Sequence, residues 1–195
     1  MDKKIIRQKI LALRDTQTTG EIKTKSAKIE KRLFCLPKFK QAGVVMFYLS
    51  FRSEARTERM IKRALRLKKR VFVPVVRKGK GKMFIAELKN YEKELTTGDY
   101  GIPCPKKKCQ RPVSCELVDL VIVPGVVFDE RGYRLGYGKG FYDKFLGGLG
   151  KKVTTVGLAF DLQVIRKVPK KKHDVKLDKI VTESRTISID KKGRA

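Results

Sequence analysis

Ile6, Ile10 and Leu13 recur at steps of four and three, so the chain opens with a predicted amphipathic helix. Glu21 to Phe34 repeats the pattern, with Ile22, Ile29 and Leu33 on one side, and Pro37 limits it. Val44 to Leu49 is a continuous apolar run, the pattern of a strand covered on both faces, as parallel sheets require. Thr57 then stands where a helix cap belongs, ahead of a stripe of Ile61, Ala64 and Leu65. Arg70 to Val75 predicts a strand whose Pro74 marks its end. Lys78 to Lys82 predicts a turn into a strand over Met83–Leu88. Residues 96–115, rich in Gly, Pro, Lys and Cys, predict a long irregular connection. Leu117 to Pro124 is the strongest strand pattern in the chain, and Thr154–Ala159 and Lys179–Thr182 add two more. Strands alternating with helices predict an α/β fold: a three-layer, mostly parallel, Rossmann-like sheet with helices on both faces. The 195 residues suit a single domain over 1–195, with 191–195 as a frayed basic tail.

Composition narrows the class. Hydrophobic residues make up 41% and aromatics 8%, enough for a core despite 35% charged residues. No run approaches a membrane span, and no apolar leader opens the chain, which predicts a cytoplasmic protein without a membrane partner. Cys35, Cys104, Cys109 and Cys115 form no C-x-x-C pair and read as reduced structural thiols. The formal net charge of +28 favours polyanions and acidic small substrates. The basic residues are spread along the whole chain with no nucleic-acid motif beside them, so any nucleic-acid binding should be non-specific.

The segment after the strongest strand carries the chemistry. Gly136, Gly138 and Gly140 alternate between Arg134 and Asp143, and a helix is predicted from about Phe141. Glycines let a backbone approach an anion, and ligands of open α/β sheets bind beyond the carboxyl ends of strands. Arg134 and Lys139 add positive charge, and Asp143 suits Mg²⁺ held against phosphates. The loop is neither of the two common phosphate fingerprints. Tyr133 stands where a Walker A loop needs its first glycine, and Phe141 stands where G-x-G-x-x-G needs its last.

Pro124-Gly125, Phe128-Asp129, Gly132, Arg134-Leu135-Gly136 and Gly138 through Asp143 together resemble the signature of the 5-formyltetrahydrofolate cyclo-ligases. The likeness extends to Lys3, Arg7, Leu49, Ser50, Glu54, Thr57, Gly98, Gly101-Ile102, Gln163, Pro169, His173-Asp174, Asp178 and Thr182-Glu183. It implies ATP-dependent closure of 5-formyltetrahydrofolate to 5,10-methenyltetrahydrofolate through a phosphorylated formyl group, with ATP as co-substrate and Mg²⁺ as cofactor. It further implies Lys139 and Arg134 as catalytic residues. Lys3, Lys4, Arg7 and Arg134, with Leu135, Gly136, Tyr137, Gly138, Lys139, Gly140, Phe141 and Tyr142, would bind ATP. Leu49, Glu54, Tyr137 and Phe141 would bind the folate, and Asp143 and Asp178 the metal. Two departures fall outside the phosphate loop. Pro103-Cys104-Pro105 follows Gly101-Ile102 where the family usually has Glu-Pro, and Ala55-Arg56 interrupts the acidic pattern after Glu54. The competing readings are a basic nucleic-acid-associated protein that keeps the fold and a related enzyme that phosphorylates a different small acid.

Overall fold

The computed structural model describes residues 2–77, 82–98, 101–150, 152–170 and 174–190. Residues 78–81 of the predicted turn Lys78–Lys82, His173 and the basic tail lie outside the described residues, and Lys82 already opens a strand.

Helices α1 (Lys3–Asp15), α2 (Thr19–Cys35) and α3 (Pro37–Gln41) lead into strand β1 (Val44–Met46). Helix α4 (Glu58–Arg66) and strands β2 (Arg70–Arg77) and β3 (Lys82–Leu88) follow. A short helix α5 (Tyr91–Glu94) and strands β4 (Leu95–Thr97) and β5 (Pro103–Pro105) come next. The second half holds β6 (Leu120–Val123), β7 (Val127–Asp129), β8 (Arg134–Leu135), α6 (Phe141–Gly147), β9 (Thr154–Leu158), β10 (Val164–Ile165), β11 (Lys179–Val181) and β12 (Thr186–Ser188).

One sheet runs in the order β12-β11-β9-β6-β1-β2-β3. Its inner pairs are parallel, while the outer strands β12 and β3 run antiparallel to their neighbours. Successive strand residues face opposite sides, so each strand feeds two cores. Val45, Val71, Leu120, Ile122 and Val156 pack with α2, α3 and α4 on one face. Met46, Phe72, Val121, Val123 and Ile180 pack with Leu146 of α6 and Phe128 of β7 on the other. This arrangement is the expected three-layer α/β sheet. A second, three-stranded sheet, β10-β7-β8, carries α1, whose Ile6 and Ile10 bury against Val126, Val127, Leu135 and Val168. Among the described residues no helix is long and apolar enough to cross a membrane.

Several local expectations change. The buried stripe of α1 runs Ile6, Ile10, Arg14, and Leu13 is 46% exposed. Pro37 ends α2 and also starts α3, since a proline costs nothing at a first helical position. Val45–Leu49 is buried and Val44 partly so, but the run pairs as strand only to Met46. Thr57 precedes α4 in a helical rather than extended conformation, so its hydroxyl does not cap. It donates instead to the Tyr48 carbonyl at 2.8 Å and accepts from Ser50 N at 3.1 Å. Pro74 sits inside β2, paired opposite Ile85. Phe72 O accepts from Phe47 N, so Pro74, two residues on, faces the same side, where β1 has already ended and no ladder bond is lost. The connection 96–115 holds the β4–β5 hairpin, and the small sheet and β12 were not predicted.

Candidate active site

The glycine loop hangs between two fixed posts. The first is β8, which a tight turn delivers. Buried Asp129 accepts from the backbone N–H groups of Arg131 and Tyr133 and from Val168 N, while Gly132 takes φ 90°. The second is α6. Arg134 of β8 donates from Nη2 to Asp143 Oδ1 of α6 at 3.0 Å and from Nη1 to Val175 O at 3.2 Å. Its side chain is 2% exposed. Burial draws the Arg134 pKa below the ordinary arginine value, opposed first by the Asp143 charge. Between the posts, Gly138 (φ 101°) and Gly140 (φ 67°) occupy backbone conformations that side chains rarely adopt. Gly136 and Gly140 face open space. Arg7 reaches across from α1 and donates from Nε to Gly136 O at 2.7 Å. Lys139 is exposed on the loop. The result is an open, cation-flanked backbone cradle suited to an anion.

Beside the loop lies a closely packed cleft, too narrow for a water molecule, lined by Arg14, Tyr48, Glu54 and Gln163 with Pro124 and Leu158. Tyr137 of the glycine loop ties it to the cradle. Its hydroxyl accepts from Arg14 Nη2 at 2.8 Å and donates to Glu54 Oε1 at 3.1 Å. Burial, then the Glu54 charge, pushes the Tyr137 pKa up to about 12. Glu54 is buried, and desolvation raises its pKa, opposed by the Phe51 N–H bonded to Oε2 at 2.9 Å and by the Arg14 charge. The Tyr142 hydroxyl is buried without a hydrogen-bond partner, and burial raises its pKa well above the usual phenol value.

The predicted residues divide by place. Arg7, Arg134 and Lys139, with Leu135 to Tyr142, surround the loop. Lys3 lies on α1 and pairs with Asp174 at 2.7 Å, and Lys4 is exposed on the same helix. Leu49 is buried in the core that also contains Tyr48 and Ala55. Tyr137 is 50% exposed, and Phe141, half-buried, opens α6. Asp178 Oδ2 accepts from Thr155 N and Oγ1, both at 2.8 Å, which fastens the start of β11 to β9. Among the described residues no three His, Cys, Asp or Glu side chains group to hold a metal, and none of the four cysteines is in a disulfide.

Sequence reasoning missed Arg14, Ser53 and Asp15. Arg14 Nε donates to Ser53 Oγ at 3.0 Å, and Ser53 in turn donates to Asp15. The available signal was the helical period: the position after Ile6 and Ile10 on the buried stripe is a charge.

A family model described as the 5-formyltetrahydrofolate cyclo-ligase family matches residues 1–183. A Caenorhabditis elegans protein named "Probable 5-formyltetrahydrofolate cyclo-ligase" is 33% identical over 161 residues, 78% of each chain. The Escherichia coli 5-formyltetrahydrofolate cyclo-ligase is 33% identical over 155 residues, 79% of this chain and 85% of its own. The solved structure of Aquifex aeolicus 5,10-methenyltetrahydrofolate synthetase superposes with a TM-score of 0.85 at 31% identity, covering 100% of this chain and 96% of that one. A Mycoplasma pneumoniae synthetase shares the fold, with a TM-score of 0.76 at 23% identity.

Proposed function

The chain belongs to the 5-formyltetrahydrofolate cyclo-ligase family, and on that footing we propose how its site closes 5-formyltetrahydrofolate to 5,10-methenyltetrahydrofolate with ATP. The observation that carries the reading is the Arg14–Tyr137–Glu54 chain of hydrogen bonds, which joins a buried carboxylate cleft directly to the glycine loop. One part suits a heterocycle with N–H donors and the other suits a triphosphate, so the two reactants meet at residues 134–143.

The formyl oxygen is a poor leaving group. It attacks the γ-phosphorus, and ADP departs. The N10 lone pair then attacks the formyl carbon, phosphate leaves with the former formyl oxygen, and N10 gives up its proton as the ring closes. The protein's work is alignment and charge neutralisation. Backbone at Gly136–Gly140 cradles the triphosphate. Lys139 meets the γ-phosphate from the exposed side, with Arg7 flanking from α1. Arg134 is held by Asp143 and faces the same charge from within. Glu54 accepts from the pterin N–H groups, and Tyr137 and Phe141 flank the ring. Lys3 and Lys4 add to the field at the mouth. Mg²⁺ carried on ATP would neutralise phosphate charge. Asp143, a third exposed beside the loop with Oδ1 on Arg134, and Asp178, with Oδ2 on Thr155, would each offer it a carboxylate.

The mechanism is tested by labelling the formyl oxygen of the substrate with ¹⁸O. The label should appear in the released inorganic phosphate. Label remaining in water or in folate products would remove the phosphorylated intermediate.

A further inference from the structure

The scheme above gives Arg14 no contact with either reactant, yet it is 1% exposed and lines the cleft that holds Glu54. Its guanidinium is only partly engaged. Nε serves Ser53 and Nη2 serves the Tyr137 hydroxyl, while Nη1 is buried without a hydrogen-bond partner. Buried donors in proteins are nearly always paired, so such an N–H calls for an acceptor that arrives with a ligand. The other polar side chains of the cleft are already used. The Tyr48 hydroxyl donates to Ala55 O at 2.7 Å. The Gln163 amide donates to the carbonyls of Gly125 and Val126, and its oxygen accepts from Phe160 N. What remains for a ligand is one unpaired cationic donor, Arg14 Nη1, beside the Glu54 carboxylate, whose Oε2 is held by Phe51 N and whose Oε1 is held by the Tyr137 hydroxyl.

The Tyr137 hydroxyl shows what that pair accommodates. It accepts from Arg14 and donates to Glu54 at once. A lactam presents the same two functions on adjacent atoms, a C=O and an N–H. The pterin ring carries one, its 4-oxo group beside N3–H, with the 2-amino donor next in line. A carboxylate alone matches the two donors and repels the oxygen. We propose that Arg14 is a substrate-binding residue that donates to the pterin 4-oxo oxygen, so that Arg14 and Glu54 together read the lactam edge. The assignment rests on the folate reading of the cleft. Tyr137 holds the pair in register in the free protein and yields its place when the ring enters.

The test is calorimetric titration of the full chain with 5-formyltetrahydrofolate and with its analogue bearing an amino group in place of the 4-oxo group. Losing a charge-assisted hydrogen bond and facing a donor with a donor should weaken the analogue roughly ten- to hundredfold against the wild type. In Arg14→Met the ratio between the two ligands should narrow roughly tenfold, and what remains of it belongs to Glu54, which meets N3–H in one ligand and a bare N3 in the other. Arg14→Lys provides a second variant that keeps the charge, and its ratio should fall between the two. A merely structural arginine would weaken both ligands alike and leave the ratio unchanged, and that result overturns the assignment. A wild type that converts 5-formyltetrahydrofolate yet binds both ligands equally overturns it as well, without touching the proposed function. A wild type that binds neither ligand overturns both.

Discussion

Arg134 and Asp143 stand on opposite sides of the glycine loop and are joined at 3.0 Å, so one ion pair closes the loop at its base. The arginine is buried and the aspartate a third exposed. Removing the aspartate charge leaves a desolvated cation without its counter-charge. Asp143→Asn should lower stability by roughly 1–3 kcal/mol, discounted for the solvent that reaches the aspartate. Turnover should fall by a larger factor than stability explains, because the loop loses its clasp. Chemical denaturation and steady-state rates on the same preparation check both. An unchanged denaturation midpoint with normal turnover would remove the pair from the account.

Lys139 offers the opposite balance. It is exposed on the loop, so Lys139→Ala should leave stability within about 0.5 kcal/mol of the parent. Removing one well-placed charge from a phosphoryl-transfer site should cut kcat by roughly a hundred- to a thousandfold. A rise in the KM for ATP with kcat unchanged would show that the lysine only binds.

Folate affinity should depend on pH through Glu54. Burial raises its pKa, and the N–H groups of the ligand bind the ionised form. Protons therefore compete with the ligand. Affinity should be full above the raised pKa and fall as pH drops through it, a window shifted upward from that of an ordinary carboxylate. Glu54→Gln should bind folate weakly and show no such slope, with ATP affinity preserved. A slope that persists in Glu54→Gln would assign the titration to another group.

Much of this was legible in the chain. The alternation of Gly136, Gly138 and Gly140 between Arg134 and Asp143 marked the cradle, and the apolar runs marked the inner strands. Three features were hidden for physical reasons. Two- and three-residue strands such as β8 and β10 are too short to show any period. Pro74 is tolerated because its neighbour strand has ended, which only the sheet order reveals. Arg14 lies on α1, far in sequence from Tyr137 and Glu54, and only folding brings them together.

The net charge of +28 predicts binding to RNA and DNA without sequence preference. Binding should weaken steeply with salt, toward ~10⁻⁴–10⁻⁶ M at physiological ionic strength, and Mg-ATP should compete. A salt titration with several unrelated oligonucleotides checks this. A preference for one sequence that survives high salt would reveal a dedicated nucleic-acid site.

On the proposed mechanism the cleft and the cradle act on one folate and one ATP together. The most direct measurement follows ADP release and the methenyl chromophore in the same reaction. No ADP should form without 5-formyltetrahydrofolate, and one ADP should form for each methenyl product when it is present. ADP released at the same rate without the folate, or folate-dependent ADP release with no methenyl product, would contradict it.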